Sequence, residues 1–170
     1  MAKKTKKRAG SSTGLVRLTK QKVLEGLPGP GSVRIRYAAP EEADGVAALL
    51  EAAADDLEIG HLQALANGQC GTWLMDGLSG VGLTEPLVRA ASAGSLQPAA
   101  ASLSLPLVAQ DRDGRVVGAL LAVPSGTVIS TVAQLPGHDQ YALLSMLKYA
   151  KIKAVAVREM SAGAGSGPRC

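Results

Sequence analysis

Gly163, Gly165 and Gly167 stand at alternate positions just after an apolar run over residues 152–157. A strand that delivers the chain into a glycine loop suits a pyrophosphate. Without side chains, phosphate oxygens can approach the backbone N–H groups closely, and a helix starting beyond the loop adds unpaired N–H groups of its own. The candidate phosphate-holding residues are Gly163, Ala164, Gly165, Ser166 and Gly167. A flexible glycine tail is the alternative reading of the same spacing.

Other residue types with chemical potential are less well placed. Gly77, Gly80 and Gly82 have no clear strand leading into them and read as a turn-rich loop, while Gly29 and Gly31 lie among prolines and read as linker. Ser79 lacks a nucleophile elbow, because Val81 stands where the second glycine is needed. His61 and His138 have no partner at ligand spacing, and Cys70 and Cys170 form neither a disulfide framework nor a metal pattern, so no metal is expected. Glu159 reads as a solvated loop acid, Tyr141 and Tyr149 as helix packing, and Trp73 and Met75 as core. No catalytic residue is assigned.

The elements that would carry the glycine loop must form from an aliphatic chain. Of 170 residues, 46% are hydrophobic but only 2% aromatic, with no Phe, so the core must come from Leu, Val, Ile and Ala, and base stacking is poorly supported. Charge is segregated. Residues 1–22 hold eight Lys or Arg and no acid, which leaves ten basic against fourteen acidic residues in the remainder. Residues 1–31 read as a basic, disordered tail, with a short helix near 15–27 and a Pro/Gly linker. The bland role of that tail is solvation, and phosphate contact with nucleic acid is the sharper one. No apolar run has signal or membrane-spanning length, so a cytoplasmic protein without membrane contact is expected.

From residue 32 onward the pattern predicts one mixed α/β domain. Residues 33–38 alternate, with Val33, Ile35 and Tyr37 facing a core and Arg34 and Arg36 facing water. Pro40, Glu41 and Glu42 then open a helix. Residues 57–105 hold a helical pattern near 61–66 and a helix from Thr84, read as its N-cap, to Ala93. Strands are expected at 106–111 and 115–123 around an Asp113-Gly114 turn, because Asp-Gly tolerates the positive φ of a tight hairpin. Residues 127–134 read as strand or helix start, 141–151 as helix, and 152–157 as strand.

In this order the segments resemble the GCN5-related N-acetyltransferase (GNAT) family over about residues 33–170. VRIRYAAPEEADGVAALLEAA is similar to its first strand and helix, LPLVAQDRDGRVVGALLAV to its second and third strands, and KIKAVAVREMSAGAGSG to its fourth strand and cofactor loop. The loop pattern falls on Ala162, Gly165 and Gly167. The resemblance implies a largely antiparallel sheet flanked by helices, and acyl transfer from acetyl-CoA to a small-molecule or protein amine. It also implies that the backbone of Val155, Ala156 and Val157 pairs with the pantetheine arm while the 163–167 amides hold the pyrophosphate.

This sequence departs from the family at two points. Ala162 stands where the family has Arg or Gln, and only Pro168, Arg169 and Cys170 follow the loop, where the family continues with a helix and a splayed fifth strand. The expectation is a domain cut short, with the small residues of 161–170 reflecting a premature end. The rival class is a non-catalytic binding or interaction protein, including nucleic-acid contact through the tail.

Overall fold

The hairpin of β3 (Leu105–Gln110) and β4 (Val116–Pro124) lies inside a five-stranded sheet. The carboxylate of Asp111 accepts the N–H groups of Asp113 and Arg115, each at 2.9 Å, and Gly114 takes a φ of +82°. A side chain at Gly114 would be strained there, so the Asp-Gly pair turns the chain as its chemistry predicts. The computed structural model describes residues 17–54, 57–93, 96–135 and 139–158, with backbone alone at 139 and 140.

Around this hairpin the sheet is antiparallel throughout, in the order β1 (Leu27–Pro28), β2 (Arg34–Tyr37), β3, β4, β5 (Ala150–Val157). The expected strands fall within a residue or two of these bounds. Residues 28–31, read as linker, close a β1–β2 turn in which the Gly29 N–H donates to the Val33 carbonyl at 2.9 Å. Before it runs α1 (Lys20–Glu25), whose first turn is capped by the Thr19 hydroxyl.

One sheet face carries the main core. Val108 pairs with Ala119, Ala119 with Ala156 and Leu121 with Ala154, so these buried side chains share a face. Against it lies α2 (Ala43–Ala53), entered through a 3-10 turn (Pro40–Glu42); its Val46 and Leu50, four residues apart, form one apolar stripe. Ala64 and Leu65 of α3 (Ile59–Ala66) extend the cluster. The cluster contains no aromatic residue.

A second cluster joins Leu87 of α5 (Thr84–Ser92), Ala99 and Leu103 of α6 (Gln97–Leu103) and Met146 of α8 (Asp139–Lys148). Trp73 of α4 (Thr72–Leu78) and Ile129 of α7 (Gly126–Ala133) pack against it. The chain is therefore a mixed α/β fold with helices flanking an antiparallel sheet.

Several local expectations change. Gly77 lies within α4 rather than in a loop, and Thr84 is the first residue inside α5 with no capping bond, while Leu83 packs on the second cluster. Of the two readings of residues 127–134, strand or helix start, the helix holds: α7 ends at Ala133 and forms despite its β-branched residues, with Ile129 packed on that cluster. In β2 two positions depart from the expected alternation: Ile35 is 37% exposed, while Arg36 pairs with buried Val108 and keeps its side chain 14% exposed; Arg34 is exposed and Tyr37 half-buried, as expected. Arg36 tolerates that face because it finds a carboxylate there, as described below. Among the described residues, no helix is long and apolar enough to cross a membrane.

Candidate functional site

The last strand positions the candidate site. Strand β5 is the terminal strand of the sheet, paired with β4 on one side and with no strand on the other among the described residues. Ala156 turns into the core, whereas Val155 and Val157 are 51% and 76% exposed on the opposite face. The Arg158 N–H continues the ladder by donating to the Val117 carbonyl at 2.9 Å. An extended, apolar edge strand of this kind offers alternate N–H and C=O groups to anything that lies alongside it.

The β4–β5 ladder contains a bulge. Leu121 faces Ala154 but Ala122 faces Ile152, so Lys153 is the extra residue. Its side chain is only 8% exposed, with Nζ 3.8 Å from Glu58 Oε1. Glu58, just before α3, thus sits between Lys153 and His61, whose Nδ1 lies 3.8 Å from Glu58 Oε2. Burial holds the His61 imidazole below its usual range; Glu58 opposes that shift, and Lys153 and Lys151 add to it.

Glu58, His61 and Lys151 line a cavity of about 430 Å³ that reaches from α3 across α6 to the start of α7. Its remaining polar lining is carboxamide, and its apolar lining includes Ala101, Val123 and Ile129. Sequence spacing did not single out this cavity, because Glu58 and His61 are brought to Lys151 only by the sheet. Val155, Ala156 and Val157 are not among its lining residues.

Two further polar contacts are structural. Arg36 grips Glu42 with both guanidinium nitrogens, at 2.7 and 2.6 Å, and Glu42 also accepts the Ala39 N–H at 2.9 Å. The hydrogen bond from Arg36 holds the Glu42 carboxyl below its usual range. Tyr37 donates its hydroxyl to the Cys70 carbonyl, and Gly71 beside it has a φ of +74° with no room for a Cβ against the Tyr37 ring. Burial pushes the Cys70 thiol up to about 11, so it is a packed thiol and not a nucleophile.

Of the sequence-derived site, the structure therefore places Val155, Ala156 and Val157. Gly163, Ala164, Gly165, Ser166 and Gly167 lie outside the described residues, as do Ala162, Glu159, His138 and Cys170. Tyr141 and Tyr149 are exposed on and beside α8. Among the described residues, no group of three or more His, Cys, Asp or Glu could hold a metal ion. Comparison of the chain with protein-family models, curated proteins and solved structures returns no match.

Proposed function

We propose that the chain is a CoA-dependent N-acyltransferase built on a GNAT-type sheet, which moves the acetyl group of acetyl-CoA to an amine. The observation that carries this reading is β5: an apolar edge strand, with no neighbour on its outer side among the described residues, that leads toward the glycine segment at 163–167. The amide groups of the pantetheine arm pair with the outer edge of β5 at Val155, Ala156 and Val157 as an added strand would. Exposed Val155 and Val157 offer apolar contact to the arm's methylenes. N–H groups of Gly163 to Gly167 receive the pyrophosphate.

In the reaction the acceptor ammonium first gives a proton to a base. The amine lone pair then forms a C–N bond at the thioester carbonyl, the C–S bond breaks, and the departing thiolate takes up the proton released from nitrogen. The sheet contributes by fixing the thioester relative to the acceptor.

Calorimetric and thermal-shift titration with acetyl-CoA tests the reading, with hydrogen exchange reporting where it binds. The expected result is saturable stabilisation, about 2.7 kcal/mol at a hundredfold excess over Kd, together with slowed exchange at residues 155–157. No stabilisation at millimolar acetyl-CoA, or protection confined to another part of the sheet, overturns it.

A further inference from the structure

We propose that the cavity between α3, α6, the start of α7 and the bulged end of β5 binds a free polar α-amino acid. Its lining presents both signs of charge, one carboxylate at Glu58 and one ammonium at Lys151, to a space of about 430 Å³. A zwitterion satisfies both at once, whereas a simple anion or cation satisfies one and faces the other. The ligand carboxylate lies at Lys151. Its ammonium lies at Glu58 and His61.

His61 is suited to that contact. Its Nδ1 is buried without a hydrogen-bond partner, while the side chain as a whole keeps 22% exposure, so the exposed part of the ring lies away from Nδ1. The Glu58 carboxylate at 3.8 Å favours a proton on Nδ1. This leaves the Nε2 lone pair to accept an N–H of the ligand ammonium. The charged groups around the ring are Glu58 ahead of α3 and Lys151 and Lys153 on β5, and Lys153 is already engaged with Glu58.

The side-chain preference comes from the carboxamides of Gln63, Asn67, Gln69 and Gln97, which also line the space. Each offers both donors and an acceptor, the complement of a ligand amide or hydroxyl. Ala101, Val123 and Ile129 provide an apolar surface for the ligand's methylenes. Naming this ligand as the acceptor amine deepens the acyl-transfer reading and rests on it, but the binding itself does not require acetyl-CoA.

Ligand-observed NMR and calorimetry on the full chain, without acetyl-CoA, test the assignment with L-glutamine, L-asparagine and L-serine. L-Glutaminamide, which lacks the carboxylate, and N-acetyl-L-glutamine, which lacks the ammonium, serve as controls. Saturable binding of at least one free amino acid is expected, with both glutamine derivatives weaker than glutamine by about tenfold or more, one charged contact each. Lys151→Gln is expected to weaken glutamine about tenfold while leaving glutaminamide unchanged; Lys151 is exposed, and an unaltered melt confirms its fold. The cavity assignment is overturned if none of the three amino acids binds, if glutamine and its derivatives bind alike, or if K151Q binds glutamine as the parent does. Acetyl-CoA binding without amino-acid binding refutes this assignment alone, and the reverse refutes the acyl-transfer reading alone.

Discussion

Arg36 and Glu42 join β2 to the turn that starts α2, and both side chains are more than three-quarters shielded from water. Removing Arg36 leaves the shielded Glu42 carboxylate without its counter-charge and with only the Ala39 N–H of its three hydrogen bonds, so Arg36→Ala is expected to cost about 2 kcal/mol in a urea melt at pH 7. The sign with pH is fixed. Glu42 has a lowered carboxyl pKa in the fold, so its contribution is present above the ordinary carboxylate range and is lost as pH falls through the lowered value. The gap between parent and R36A should therefore narrow in acid; a constant gap would show that the pair acts through packing. His61 behaves in the same direction for a different reason. Burial favours its neutral form, so the unfolded chain binds the proton more readily, and the penalty on the fold begins as pH falls below the unfolded value near 6.5. In NMR, with His138→Gln to assign the two histidines, the His61 ring proton should titrate below that value; titration at or above it contradicts the burial of the ring.

At the scale of elements, β4 and β5 must stay in close register for the edge of β5 to be presented at all. Gly118 marks how close they are: a Cβ there would meet the Ala156 carbonyl oxygen at 3.0 Å and the Ala109 Cβ at 3.5 Å. Gly118→Val is expected to push β5 off the sheet, speeding amide exchange across residues 154–157 and abolishing acetyl-CoA stabilisation while β2 and β3 keep their protection. Uniform loss of protection would instead mean that the sheet unfolds as one unit. The hairpin and β5 were legible in the sequence because an Asp-Gly turn and runs rich in Val, Leu, Ile and Ala leave few alternatives. Helix α6 was not, since the sequence QPAAASL has only one large apolar side chain, Leu103, to mark a face. In β2, Arg36 departs from its expected side because alternation places arginines in water by default, whereas Glu42, which holds it, belongs to the next element. Of the candidate site, strand 155–157 was readable from local pattern. The Glu58, His61 and Lys151 grouping spans nearly a hundred residues of chain and exists only through the fold.

The whole molecule is organised by two aliphatic clusters that share one helix. Helix α6 gives Ala99 and Leu103 to the second cluster, while its Ala101 packs on the first, so a cavity on the sheet side should be felt on the helical side. Leu50 provides the test, being fully buried between α2 and the sheet. Leu50→Ala removes methylenes that the surrounding helix and strands cannot fully replace, and is expected to cost about 2–5 kcal/mol. Trp73 is the sole tryptophan and packs on the second cluster, so its fluorescence reports that side, while far-ultraviolet circular dichroism reports the helices and sheet together. If α6 couples the clusters, both signals in L50A lose the same midpoint and remain coincident through denaturation. A tryptophan transition left at the parental midpoint, with the dichroism shifted, would divide the chain into two cooperative units. The cavity against α3, α6 and β5 would then straddle a boundary that opens on its own.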